Sequence, residues 1–162
     1  MAHRRTLRAA ALGTTLLAVA LVLQSATASA DQSGSRGSAG DEVTLEFAVV
    51  TSPFSYTDVG VPGPSAADVI VFNDVLEQDG RPVGHEVGSC VLVDPSGLAN
   101  CTAVVTLDGQ GTIAFAFENA PPPEKTLAVT GGSGDFRAVR GDGVFVETGD
   151  GTGTLTLRVR LR

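Results

Sequence analysis

Short segments rich in β-branched and apolar residues alternate with turn signals from Val43 to the end of the chain. In residues 154–161, leucine and valine alternate with threonine and arginine, which is the period of two expected for a strand buried on one face. The pairs Asp79-Gly80 and Asp108-Gly109 are typical of turns that join antiparallel strands. Residues after 42 show no helical periodicity, and about eight such segments predict an all-β sandwich or barrel.

The first thirty residues have the features of an export signal. Residues 1–8 hold three arginines and no acid, residues 9–23 are almost wholly apolar, and Ala28-Ser29-Ala30 fits a cleavage site. The apolar run is shorter than the roughly 20 residues that span a bilayer. We therefore predict a secretory signal peptide cleaved after Ala30. An uncleaved anchor and a twin-arginine signal at Arg4-Arg5 are the alternatives.

These features divide the chain into a signal peptide (residues 1–30), a disordered leader rich in Ser, Gly and Asp (31–42) and one domain (43–162). The formal net charge is −7, and loss of the three signal arginines would bring a secreted mature protein to about −10. So acidic a chain excludes nucleic acid as a partner, because phosphates require a basic surface. No later apolar run is long enough to span a membrane, so the mature protein is expected to be soluble.

The two cysteines, Cys90 and Cys101, are expected to form a disulfide. Export brings them to an oxidising compartment, where a pair of cysteines usually bridges. A hairpin centred on Pro95 and Ser96 would place the two residues directly opposite each other, within disulfide reach. A metal site is not expected, because there is no Cys-x-x-Cys pair and His85 is the only histidine after the signal.

The segment around residue 115 has apolar side chains on both of its faces. Ile113, Phe115 and Phe117 point one way, while Ala114 and Ala116 point the other. The outer face of a monomeric barrel would contact water. The pattern therefore predicts that this wall meets another subunit.

Several stretches of the sequence occur together in an order typical of one family. The first runs from Asp68 through Val-Ile-Val-Phe-Asn-Asp-Val to Leu76 and continues in Arg81-Pro-Val-Gly84 and Gly88-Ser-Cys90. The later stretch is Leu127-Ala-Val-Thr-Gly-Gly-Ser-Gly-Asp-Phe136, followed by Arg140-Gly141. Over roughly residues 43–160, the chain resembles the allene oxide cyclases and the related dirigent-type barrels.

The resemblance implies an eight-stranded antiparallel β-barrel with an apolar cavity, usually assembled as a homotrimer and working without a cofactor. Plant cyclases of this kind close an allene oxide into a cyclopentenone, and dirigent proteins steer the coupling of phenoxy radicals or quinone methides. We therefore expect a secreted barrel that binds a small apolar molecule, as an isomerase or cyclase or as a dirigent-type stereochemical guide. The alternative is a non-catalytic ligand-binding or structural barrel.

Three acids are the catalytic candidates that the resemblance implies. The first-strand glutamate of the cyclases matches Glu46, the asparagine of their second strand falls on Asp74, and dirigent-type barrels favour aspartates near Asp58 and Asp74. Desolvation in an apolar barrel raises the pKa of a carboxyl group, which can then hold or deliver a proton near neutral pH. A cavity of fixed shape would also select one conformer of a flexible substrate.

Four residues are assigned to ligand binding: Phe72, Asn73, Phe115 and Phe117.

The segment Gly131-Gly-Ser-Gly134 lacks the lysine and the following helix of a phosphate loop, so we interpret it as a tight turn that needs positive φ. If the barrel encloses an open cavity, acids that point into it would favour a catalytic function. Acids that point outward favour simple carriage of a ligand.

Overall fold

The computed structural model describes residues 41–120 and 123–161, which form eight antiparallel strands. The strands are β1 (Glu42–Thr57), β2 (Val69–Gln78), β3 (Arg81–Leu92), β4 (Ala99–Leu107), β5 (Gly111–Asn119), β6 (Glu124–Gly134), β7 (Arg140–Glu147) and β8 (Thr152–Arg160). Each strand pairs with its neighbours in sequence, and β8 pairs with β1. The predicted eight-stranded antiparallel barrel is confirmed, and its closure leaves no free sheet edge.

The predicted signal peptide and the leader residues 31–40 lie outside the described residues. Glu42, which we placed at the end of the leader, is instead the first residue of β1 and pairs with Arg160 of β8. The described part of the chain holds no helix with the length and apolar character needed to cross a membrane.

Strand β1 is long and irregular because it contains Pro53. The register between β1 and β2 shifts between Thr51 and Phe54, since a proline has no N–H to donate to the ladder. The residues on either side of this proline therefore form one bulged strand. The irregularity lies at the cavity described below, where Thr51 and Phe54 contribute to the wall.

One end of the barrel is filled with side chains. Phe136 and Val139, both in the β6–β7 loop, are buried among residues of the barrel interior. The N–H of Asp135 donates to the carbonyl of Gln110 at 2.8 Å and ties this loop to the β4–β5 turn. The core contains Phe47, Val49, Leu76, Val105, Leu107, Ile113, Phe115, Leu127, Val129, Leu155, Leu157 and Val159. Burial of each such side chain contributes roughly 1.5–3 kcal/mol.

The opposite end carries the long β1–β2 loop, which is organised by Asp68. The buried carboxylate of Asp68 accepts hydrogen bonds from the hydroxyl of Tyr56 and from the N–H groups of Val59 and Ser65, the latter two at 2.7 Å. The hydrogen bond from Tyr56, followed by that from Val59, holds the pKa of Asp68 below its usual range. An ionised Asp68 thus fixes the loop at the rim of the barrel.

The disulfide between Cys90 and Cys101 is present, in the register expected from the β3–β4 hairpin. The two residues are directly opposed, their Cα atoms are 4.1 Å apart, and both side chains are buried on the inner face of the barrel. Ile70, Phe72 and Phe117 pack against this bridge.

We expect the double substitution Cys90→Ala and Cys101→Ala to lower the free energy of unfolding by about 3 kcal/mol. The bridge closes a loop in the unfolded chain, and its removal restores the conformational entropy of that loop. Urea unfolding followed by circular dichroism measures the change. The wild-type protein treated with a reductant is the matched control, and a loss below about 1 kcal/mol in both would contradict the expectation.

The glycine-rich segment that was interpreted as a tight turn is instead the end of β6. Of its glycines, Gly134 alone has positive φ, at 62°. A Cβ built on Gly132 would lie 2.4 Å from the carbonyl oxygen of Thr112 and 2.7 Å from that of Phe136. The interpretation was therefore wrong, because close approach of neighbouring backbone explains the glycine at 132.

The outer wall of the barrel carries several apolar side chains. Ala114 and Ala116 are half-buried on the outer face of β5, and Val71, Val87 and Val91 are exposed on β2 and β3. The contact with another subunit, and the homotrimer implied by the resemblance, stay predictions.

Candidate functional site

A cavity of about 390 Å³ opens at the end of the barrel opposite the filled core. Its mouth includes Gly149, Gly151 and Thr152 around the β7–β8 turn. Five of the seven phenylalanines of the chain line it, namely Phe54, Phe72, Phe115, Phe117 and Phe145. The cavity is therefore mainly apolar and aromatic, which is typical of small-molecule sites.

Glycines on neighbouring strands leave room for two of these aromatic rings. Gly88 is directly opposite Phe72, and a Cβ built on it would lie 2.3 Å from Cζ of that ring. A Cβ on Gly153 would lie 2.7 Å from Cε2 of Phe145. Both rings therefore rest against backbone, in positions that only glycine permits.

We expect Gly88→Ala to weaken ligand binding in the cavity. The new methyl group would displace the Phe72 ring, and it would also lie 2.8 Å from the backbone oxygen of Thr102. The strain should lower the free energy of unfolding by about 1–3 kcal/mol. Fluorescence titration with a dye that binds apolar cavities tests this. Gly109→Ala in the β4–β5 turn, at the opposite end of the barrel, is the control for strain outside the cavity, since its φ is 74° and a new Cβ there meets nothing within 4 Å. Unchanged binding by Gly88→Ala would contradict the expectation.

Two acids face each other in this apolar cavity. Asp74 of β2 and Glu86 of β3 are directly opposed and share the inner face, with exposed fractions of only 4% and 5%. Directly opposed residues have Cβ atoms about 4.5–5.5 Å apart, and like charges at such positions destabilise a sheet. An arrangement that opposes folding in this way is characteristic of functional sites.

Burial shifts the protonation of both carboxyl groups. Desolvation, followed by the nearby charge of Asp74, raises the pKa of Glu86 from 4.5 to about 8. Desolvation also raises the pKa of Asp74; the hydrogen bond from the Thr51 hydroxyl acts in the opposite direction, and the charge of Glu147 adds to the rise. At neutral pH Glu86 therefore holds a proton, while Thr51 favours the ionised form of Asp74.

The remaining acid of the cavity, Glu147, lies at the rim and is paired. Its carboxylate is 3.6 Å from Nζ of Lys125, a buried lysine of β6 that also donates to the carbonyl of Ala120 at 2.8 Å. The Glu147 side chain is 48% exposed. The charge of Glu147 is thus partly balanced, whereas Asp74 and Glu86 are more deeply buried and directly opposed to each other.

The structure brings together four of the seven residues predicted for the site. Asp74, Phe72, Phe115 and Phe117 all line the cavity. Asn73 is exposed on the outer face of β2, because successive side chains of a strand point to opposite sides.

The other two catalytic candidates lie outside the cavity. Glu46 is exposed on the outer face of β1, since the inward positions of that strand are its neighbours Leu45 and Phe47. Asp58 is exposed in the β1–β2 loop, where its carboxylate accepts a hydrogen bond from the N–H of Gly63 at 2.9 Å. We therefore leave both acids out of the proposed catalytic set.

Glu86 is a cavity residue that was not predicted from the sequence. It lies in β3, and nothing in its local sequence distinguishes it from an ordinary solvent-facing acid. In the described ranges 41–120 and 123–161, no group of three or more His, Cys, Asp or Glu side chains could hold a metal ion.

No protein-family model and no curated protein matches the sequence. Solved structures with a similar fold include a pyocyanin demethylase, with a TM-score of 0.66 and 25% identity over 72% of this chain and 99% of that chain. A pterocarpan synthase dirigent protein has a TM-score of 0.57 and 18% identity over 76% and 98% of the two chains. A Diels–Alderase from Streptomyces koyangensis has a TM-score of 0.62 and 14% identity over 78% and 71%.

These likenesses concern the fold. The barrel is of the kind found in dirigent proteins and in barrel cyclases, in agreement with the broader part of the family resemblance. The narrower assignment to the allene oxide cyclases stays a prediction from the sequence.

Proposed function

We propose that this protein is a secreted, cofactor-independent barrel that binds a small, largely apolar molecule and guides its isomerisation or ring closure by proton transfer. The observation that carries the proposal is the opposed pair Asp74 and Glu86 inside an aromatic cavity. A dirigent protein and a Diels–Alderase with similar barrels support a role in guided bond formation. The disulfide Cys90–Cys101 is compatible with secretion.

The two acids are suited to different halves of a proton transfer. Glu86, protonated at neutral pH, would donate its proton to a carbon or oxygen of the substrate. Asp74, which accepts a hydrogen bond from Thr51, would take a proton from another position of the same molecule. Because the two carboxyl groups face each other, a proton can then pass from Asp74 to Glu86 and restore the starting state.

The phenylalanine walls would supply the second part of catalysis. A rigid aromatic cavity selects one folded conformer of a flexible substrate, which lowers the entropic barrier to reaction. The same cavity determines which face of the reacting double bond is attacked. The same walls could steer a stereoselective coupling, as in dirigent proteins.

Ring closure of 2′-hydroxychalcone tests the proposal without knowledge of the natural substrate. In this reaction the phenol loses a proton, its oxygen bonds to the alkene carbon, and the adjacent carbon gains a proton, so no oxidant or reductant is needed. We expect the protein to accelerate the reaction and to favour one enantiomer, as measured by chiral chromatography. Binding without acceleration and with a racemic product would instead favour the non-catalytic carrier.

A further inference from the structure

The ionisable side chains that line the cavity are all acidic. Asp74, Glu86 and Glu147 line it, and none of the lining residues in the described part of the chain is basic. Lys125 approaches the cavity from β6, where its ammonium group contacts Glu147 at the rim. Asp74 in its ionised form, and Glu86 once it has lost its proton, would repel an anionic ligand and attract a cationic one.

The aromatic walls favour the same kind of ligand. Five phenylalanine rings line the same cavity as the two deep acids, and the rings of Phe115 and Phe117 are tilted at 41° with centroids 6.1 Å apart. The face of an aromatic ring carries negative electrostatic potential and attracts organic cations, most strongly where water is excluded. Delocalised charge on a flat heteroaromatic ring can contact both the rings and the acids.

A buried oxygen atom gives a third, independent indication. Asp74 is only 4% exposed, and its Oδ1 atom is buried without a hydrogen-bond partner among the described residues. Unsatisfied buried carboxylate oxygens are rare in proteins, because they have lost water without gaining a partner. Asp74 lines the cavity, so a positively charged ligand could compensate this oxygen.

We propose that the ligand of this cavity is a compact heteroaromatic cation whose positive ring lies between the phenylalanine walls and next to Asp74 and Glu86. A volume of about 390 Å³ lies near the lower end of the range for small-molecule sites and suits a molecule of two or three fused rings. This inference rests on the proposed function for the location of the site, and it deepens that function by naming the charge class of the substrate.

Calorimetric titration with three bicyclic probes of similar shape tests the inference. The probes are N-methylquinolinium, which is a cation, quinoline, which is neutral at neutral pH, and 2-naphthoate, which is an anion. We expect the cation to bind at least about tenfold more tightly than quinoline, and the anion to bind most weakly. The double variant Asp74→Asn, Glu86→Gln should lose this preference. Glu46→Gln, which removes the same charge from the outer face, should keep it.

The affinity for the cation should also rise with pH. A bound cation favours ionised carboxylates, and Glu86 is protonated at neutral pH. The other charged groups that face this part of the cavity are Asp74 on β2, Glu147 on β7 and Lys125 on β6; the described lining residues of β1, β5 and β8 are uncharged. We expect N-methylquinolinium to bind several-fold more tightly near pH 9 than near pH 6, and quinoline to lack this trend.

Different failures have different meanings. If quinoline or 2-naphthoate binds as tightly as N-methylquinolinium, or if cation binding is independent of pH, the charge class is wrong while the proposed function stands. If all three probes fail to bind while 2′-hydroxychalcone is closed stereoselectively, the charge class is wrong and the proposed function stands. If chalcone ring closure fails as well, both are contradicted. If the cation is preferred but 2′-hydroxychalcone is neither accelerated nor closed stereoselectively, the inference holds and the catalytic role fails.

Discussion

Glu86→Gln is expected to stabilise the protein, by about 3 kcal/mol near pH 7 and about 5 kcal/mol near pH 9. The carboxyl group of Glu86 has its pKa raised from 4.5 to about 8 by burial and by Asp74. The folded state therefore binds more protons than the unfolded state between these two values. The contribution of Glu86 to the free energy of unfolding is therefore fully present below about pH 4.5. It is lost as the pH rises through about 8, because the folded protein must then ionise a buried acid.

Glutamine has nearly the shape of the protonated acid and cannot ionise. The variant should therefore lack this part of the pH dependence, and its stability should exceed that of the wild type increasingly from about pH 5 to pH 9. Urea unfolding at a series of pH values measures the difference. Glu46→Gln, which changes an exposed acid on the outer face, should show no comparable gain. Equal stability of Glu86→Gln and wild type near pH 9 would contradict the expectation.

Asp74→Asn is expected to slow the ring closure of 2′-hydroxychalcone by about 100-fold or more, because positioned acid–base groups typically contribute 10²- to 10⁴-fold. Asparagine keeps the size of the side chain and can still contact Thr51, but it cannot accept a proton from the phenol. Chalcone binding should change little, since the phenylalanine walls are intact. The loss should therefore be in kcat rather than in KM.

Two controls separate this effect from a general loss of negative charge. Glu46→Gln and Asp58→Asn each remove one acid outside the cavity and should retain full activity and enantiomer preference. Asp74→Asn should also lose enantiomer preference if the remaining reaction occurs in solution. Retention of wild-type kcat by Asp74→Asn would show that Asp74 is not the base.

Much of the fold could be predicted because each strand and turn of an antiparallel sheet has its own pattern in the local sequence. The alternation in residues 154–161 and the Asp-Gly turns predicted strands, and the centre of the β3–β4 hairpin correctly placed Cys90 opposite Cys101. This hairpin has no register shift, so simple counting from its turn was sufficient.

The acid pair could not be predicted in the same way because the β2–β3 hairpin contains a bulge. Counting outward from the Asp79-Gly80 turn places His85 opposite Asp74. The register shift between Leu76 and Glu77 moves the partner by one residue, and Glu86 takes the inward position. A bulge of this kind leaves no clear mark in the sequence, so the facing of Asp74 and Glu86 is visible only in the tertiary structure.

The outward direction of Glu46 was, by contrast, readable from the sequence. Val43, Leu45, Phe47 and Val49 form an apolar alternation, and Glu46 is out of phase with it. Asn73 is likewise out of phase with Phe72 and Asp74. The family resemblance favoured Glu46, whereas the period of the strand should have decided against it.

The buried pair Asp74 and Glu86 is expected to hold a proton at neutral pH inside the cavity. Carbon NMR of protein labelled at the glutamate side-chain carboxyl tests it most directly, with the Glu86 resonance assigned by its loss in Glu86→Gln. We expect this resonance to titrate with a midpoint of about pH 8. A midpoint near the ordinary value of 4.5 would contradict it, because Glu86 would then be a carboxylate at neutral pH with no proton to deliver.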